Sequence, residues 1–155
     1  MTKQLLFISL TTTLVLATVS MALADGAQIG TAVHGAIHPE TCRYSRSDGR
    51  AGWSTDEVKA TIRCAVRRWP VPGGADFAIK VAACESHLDE RAYNPGGYAG
   101  LFQQATRYWD GRFRTYQPPH FDLRPSVFNG RTNAVVSVKQ AHRGGWGPWS
   151  MGVCA

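Results

Sequence analysis

Four cysteines, Cys42, Cys64, Cys84 and Cys154, constrain this chain more than any other feature. No Cys-x-x-Cys occurs and no cysteine pair has histidines at zinc-ligand spacing. In an oxidising compartment the even count therefore favours two disulfides over a metal centre. The N-terminus predicts such a compartment. Residues 1–4 carry one cation, Lys3, residues 5–24 are uncharged, and Ala22-Leu23-Ala24 is the small-x-small pattern cut by signal peptidase ahead of Asp25. We read residues 1–24 as a cleaved signal; Thr11, Thr12, Thr13, Thr18 and Ser20 make the stretch a poor lipid-spanning helix. Four cysteines allow three connectivities. One of them, Cys84 with Cys154, would close a loop over the second half of the mature chain, worth roughly 4 kcal/mol in the chain-entropy picture.

The chain has 155 residues, the size of one domain. With 44% apolar and 18% charged residues it can bury a core, and 16 glycines and 8 prolines predict short elements joined by many turns. The formal net charge is +6, and Lys3 leaves with the signal. A basic exported protein meets anionic surfaces such as wall polymers. The cations are scattered, with only Arg67-Arg68 as a tight pair, so no nucleic-acid partner is expected. No second apolar run follows the leader, which predicts no stable membrane insertion once the signal is removed.

Residues 25–52 show no sustained period and read as a flexible N-terminal segment pinned near Cys42. The folded domain is expected over residues 53–155. Ser54 and Glu57 have capping-box spacing, Val58, Ile62, Ala65 and Trp69 follow as one apolar stripe, and Pro70 stops the helix. A second helix is expected over 75–85, mostly buried, with Phe77, Val81 and Cys84 on one face. Asn94-Pro95-Gly96-Gly97 is a dense turn signal, and residues 98–104 read as a tight loop or short hairpin. A short helix is expected around 105–109, irregular chain over 111–125, and a last helix over about 131–142. Trp146-Gly147-Pro148-Trp149 is expected not to be helical. The fold class is therefore mainly α, with weak strand content.

Glu85 carries the most chemical information. At the end of an apolar helix a carboxylate gains nothing from the helix dipole, because negative charge is disfavoured there. Burial in such a place raises the pKa of a carboxyl group, so that it can hold a proton near pH 6 and deliver it to a leaving oxygen. The five histidines form no metal pattern, and no serine or cysteine nucleophile motif is present, so neither metal nor cofactor is expected.

Cys84-Glu85-Ser86-His87-Leu88 followed by Gly96-Gly97-Tyr98-Ala99-Gly100-Leu101-Phe102-Gln103 resembles the soluble lytic transglycosylases of the lysozyme-like superfamily. In those enzymes a Glu-Ser pair ends a helix and a Gly-Leu-Met/Phe-Gln motif follows some 15 residues later. Phe128-Asn129, Asn133-Ala134, residues 145–150 and the closing Cys154 look like a compact secreted actinobacterial branch related to resuscitation-promoting factors. The resemblance covers roughly residues 75–155. It implies an α+β lysozyme-like fold, a Cys42–Cys64 and a Cys84–Cys154 disulfide, and a secreted or wall-associated monomer whose partner is the peptidoglycan glycan strand.

Carried over residue by residue, the resemblance makes Glu85 the catalytic acid and base and assigns substrate contacts to Ser86, Tyr98, Gly100, Gln103 and Trp149. Gly100 would let the backbone approach the glycan, and Gln103 would bind a sugar or its N-acetyl group. The Ala-Tyr-Asn motif of the larger enzymes is missing, which leaves Trp146 and Trp149 to supply the far wall of the cleft or to join the core. One carboxylate suits cleavage of the bond between N-acetylmuramic acid and N-acetylglucosamine assisted by the substrate's own N-acetyl group. The alternatives are a hydrolytic muramidase positioning water with Asp89, Asp110 or Asp122, and a non-catalytic wall-binding module.

Overall fold

The computed structural model describes residues 36–44, 52–150 and 154. The signal reading therefore lies outside the described residues, as does most of the expected flexible segment. Two short strands, β1 (Ile37–His38) and β2 (Arg43–Tyr44), pair antiparallel. This stretch, expected as part of a tail, is a hairpin tied to the domain at two points. Cys42 is bonded to Cys64, and Arg131 Nε donates to the Thr41 carbonyl at 3.1 Å.

Helix α1 (Thr55–Arg68) begins at the expected capping box. The Glu57 amide donates to Ser54 Oγ at 3.2 Å, and the Ser54 amide donates to Glu57 Oε2 at 2.7 Å. Val58, Ile62 and Ala65 are buried, and the helix closes at Trp69 before Pro70. Helix α2 (Gly74–Ser86) buries only Ala78, Val81, Ala82 and Ser86, a narrower stripe than expected, and Cys84 lies exposed. Both helices pack on one another, and α1 packs on α4 (Gly130–Gly144).

Helix α4 is the axis of the domain. Asn129 caps it, with Oδ1 accepting from the Thr132 amide at 3.0 Å, and every residue from Gly130 to Val138 is buried. Elements surround this helix, so its polar residues are enclosed along with its valines. Buried polar groups must find partners inside the protein, and those of α4 do so, as described below.

Between α2 and α4 lies a three-stranded antiparallel sheet, β3 (Tyr93–Asn94), β4 (Tyr98–Ala99) and β5 (Gln104–Ala105). Tyr93 faces Ala99, and Tyr98 faces Ala105. The β3–β4 turn is the expected one: the Gly96 amide donates to Asn94 Oδ1 at 2.8 Å, and the Gly97 amide to the Asn94 carbonyl at 2.9 Å.

Two expectations fail in the second half. Residues 111–116, expected to be irregular, belong to α3 (Trp109–Tyr116), which follows a 3-10 turn over Thr106–Tyr108. Trp109, Phe113 and Tyr116 form an apolar stripe that packs with Ala99, Val127 and Val136, and this burial outweighs the helix-weakening Gly111. The prolines begin only afterwards. Gly147–Ser150 forms a single helical turn, α5, despite Pro148. Proline is tolerated in a first turn, where its missing amide proton would have had no intrahelical acceptor.

The second disulfide joins Cys84 to Cys154. Together the two bonds tie the hairpin to α1 and the C-terminus to α2. The described domain is thus a small mixed fold, helical with a little sheet, held by two disulfides. No described helix is long and apolar enough to cross a membrane.

Candidate active site

Helix α2 ends two residues after Cys84, because His87 and Leu88 both take left-handed backbone conformations, with φ of 57° and 65°. Glu85 is thereby held on the final turn, half-buried. Among the described residues its carboxylate has no hydrogen bond and no ion pair, and the last turn of α2 carries no basic residue. Burial raises its pKa above the ordinary glutamate range, because removing water penalises the charged form.

Ser86 connects this end of α2 to the β4–β5 turn. Its hydroxyl is buried and lies 2.8 Å from the Leu101 carbonyl and 3.0 Å from that of Ala82. A hydroxyl enclosed and engaged in this way does not meet a ligand. Ser86 is a positioning residue, which corrects its expected role as a substrate contact. Through it the Glu85 turn and the 100–103 turn lie side by side.

Gly100 is also corrected. Its φ is +76°, and a Cβ there would fall 2.3 Å from Asn133 Nδ2 and 2.3 Å from the Val127 carbonyl oxygen. The glycine therefore admits α4 and the loop before it, rather than a glycan. Asn133, which carried no assigned role at the level of sequence, is the centre of this contact. Fully buried, it accepts from the Phe102 amide at 3.0 Å through Oδ1 and donates through Nδ2 to the carbonyls of Val127 at 2.9 Å and Ala99 at 3.4 Å. Its signal in the sequence was the Asn133-Ala134 pair of the family resemblance, which named no contact for it.

Trp149 is buried, and its indole N–H donates to the Phe102 carbonyl at 2.8 Å; that of Trp146 donates to the Pro72 carbonyl at 2.8 Å. Both rings pack on Phe102, with centroids 6.1 and 6.2 Å away. These tryptophans form the floor behind the 100–103 turn, so the expected substrate contact of Trp149 is replaced by a core role. Burial of so large a ring outweighs what it would contribute exposed.

Gln103 and Tyr98 remain reachable. Gln103 is half-buried in a left-handed conformation, φ 41°, with Nε2 donating to the carbonyls of Gly100 at 3.1 Å and Ala92 at 3.2 Å. Its amide oxygen makes no bond among the described residues, which leaves one oriented acceptor. Tyr98 is 41% exposed on β4.

The other carboxylates are placed differently. Glu90 is buried and accepts from the amides of Gly52 at 2.7 Å and Trp53 at 3.2 Å, with Arg91 Nε 3.8 Å away. Asp89 accepts from the Arg91 amide at 2.8 Å, and Asp110 and Asp122 are exposed on α3 and in the loop after it. Among the described residues no three His, Cys, Asp or Glu side chains gather as a metal-ligand group. No protein-family model, curated protein or solved structure matches this chain.

Proposed function

We propose that this chain is a lysozyme-like, secreted peptidoglycan-cleaving enzyme of the lytic transglycosylase type, with Glu85 as its one catalytic acid and base. The observation that carries the reading is the state of Glu85: half-buried, without a partner, its pKa raised, beside a turn that presents the Gln103 amide oxygen. The disulfides suit an oxidising, extracellular setting.

In this reading neutral Glu85 gives its proton to the bridging oxygen as the bond from that oxygen to the anomeric carbon of N-acetylmuramic acid breaks. The carbonyl oxygen of the substrate's N-acetyl group donates an electron pair to the cationic carbon. The Glu85 carboxylate then takes the proton of the sugar's own 6-hydroxyl, whose oxygen bonds to the anomeric carbon as the N-acetyl oxygen leaves it with its electron pair, closing a 1,6-anhydro ring. Glu85 ends protonated, as it began. Inverting hydrolysis would need a second carboxylate to activate water on the opposite face. Glu90 is committed to the backbone of residues 52 and 53 and Asp89 to its own turn, which favours the single-carboxylate route.

Digestion of purified sacculi, with products read by mass spectrometry, tests the proposal. The protein should release 1,6-anhydro ends, and Glu85→Gln should lower the rate by roughly 100-fold or more, since it removes the transferable proton and keeps the shape. Free reducing ends would instead mark a muramidase. Binding without cleavage by both proteins would mark a wall-binding module, and an unimpaired Glu85→Gln would remove Glu85 from the chemistry.

A further inference from the structure

Beyond Glu85, a group of aromatic and cationic side chains lies along β4, the 3-10 turn and α3. Tyr98 is 41% and Tyr108 53% exposed. Tyr108 lies under two guanidinium groups, Arg107 at 4.8 Å and Arg112 at 5.6 Å, and Arg143 lies 5.5 Å from the ring of Tyr116. Among the described residues none of these three arginines has a carboxylate within ion-pair distance. The nearest acidic residue in sequence, Asp110, is exposed and makes no ion pair.

Arg112 differs from the other two in how it is held. It is half-buried, and its Nη1 donates to Gln104 Oε1. Gln104 is itself 1% exposed, and its Nε2 donates to Ser137 Oγ at 2.8 Å and to Gln140 Oε1 at 3.2 Å, both on α4. A buried glutamine anchored twice to the central helix thus fixes one edge of a guanidinium whose other donors make no hydrogen bond among the described residues. The titratable groups that surround Arg112 are Tyr116, Tyr108, Arg107 and Tyr98, with no carboxylate among them. Desolvation works against the cation here, and a partly dehydrated, pre-oriented guanidinium binds a carboxylate more strongly than a free surface arginine does. Tyrosine faces beside it suit the apolar face of a sugar ring.

We propose that Arg112 binds a carboxylate of the glycan substrate beside Tyr98 and Tyr108, so that the site selects acidic, peptide-bearing glycan over neutral glycan. Gln104 is its positioning residue. The inference rests on the function proposed above, in that it names which glycans that enzyme discriminates. Its chemistry is that of a charge-assisted, forked hydrogen bond made only when the peptide stem of the glycan carries a carboxylate.

The test compares wild type and Arg112→Gln on two soluble substrates, peptidoglycan oligomers with intact peptide stems and a neutral hexamer of N-acetylglucosamine. Wild type should favour the acidic oligomer. Arg112→Gln should lose about tenfold to a hundredfold in kcat/KM on it, chiefly through KM, as expected for a charged hydrogen bond. The loss should be at least tenfold greater than on the neutral hexamer, and Arg112→Lys should recover part of it. Equal losses on both substrates, or none on either, would overturn the proposal. If wild type cleaves neither, the enzymatic reading has failed, and the ratio of Kd values for the same two glycans decides the role of Arg112 alone.

Discussion

Two glutamates five residues apart, on the last turn of α2 and in the turn after it, have opposite surroundings. Glu90 is the more deeply buried, yet its oxygen accepts two backbone amides with Arg91 close by. Glu85 is only half-buried, but it has no donor, and burial alone sets its pKa. Depth of burial therefore does not separate a structural carboxylate from a chemical one. What separates them is whether the protein has already supplied the hydrogen-bond partners.

The largest effect expected from this contrast is on turnover. Glu85→Gln should abolish most glycan cleavage while folding stability holds or rises, because an uncompensated carboxyl group is replaced by a neutral amide. Glu90→Ala should do the reverse. It leaves the amides of Gly52 and Trp53 without their acceptor, so urea denaturation should show a loss of about 1–3 kcal/mol, with the rate per folded molecule within twofold of wild type. If Glu90→Ala proved stable and inactive, the two roles would have been assigned the wrong way round.

Ser86 sharpens the contrast, since it stands next to Glu85 but belongs with Glu90 in kind. Ser86→Ala removes the link to the Leu101 carbonyl and should cost about 1 kcal/mol in denaturation, with turnover falling only a few-fold. A loss of activity as large as that of Glu85→Gln, at unchanged stability, would instead put the hydroxyl in the chemistry.

The smallest effect is one of linkage. Glu85 titrates higher in the folded than in the unfolded chain, so the folded state holds the extra proton in the window just above the ordinary glutamate range. Stability from this residue is complete below its unfolded pKa and is lost as pH rises through the folded one. Glu85→Gln lacks this loss. Its stability relative to wild type should therefore grow as pH rises above the ordinary glutamate range. A difference that stays flat over that rise would show that Glu85 is solvated like any surface carboxylate.

Local chemistry was legible wherever neighbours in the chain decide the outcome. The capping box at Ser54 and Glu57, the stop at Pro70, the turn at residues 94–97 and the helix carrying Glu85 follow from spacing and turn residues, and the structure shows them. The even cysteine count pointed to two bonds, though not to which two, because connectivity depends on which helices meet. Around residues 111–116 local signals misled: Gly111 and the prolines that follow suggested irregular chain, whereas a tertiary surface awaited Phe113 and Tyr116.

The side chains of the candidate site were decided almost entirely by tertiary structure. Sequence alone determined a chain with paired cysteines, short helices and a glutamate at the end of one of them. Only packing could reveal that Gly100 makes room for Asn133, that Trp146 and Trp149 close the core, and that Gln104 orients Arg112. Each of these contacts joins residues on different elements. A glutamine, glycine or tryptophan has the same local propensity whether it faces a cleft or a helix, so its role is set by what the fold brings against it.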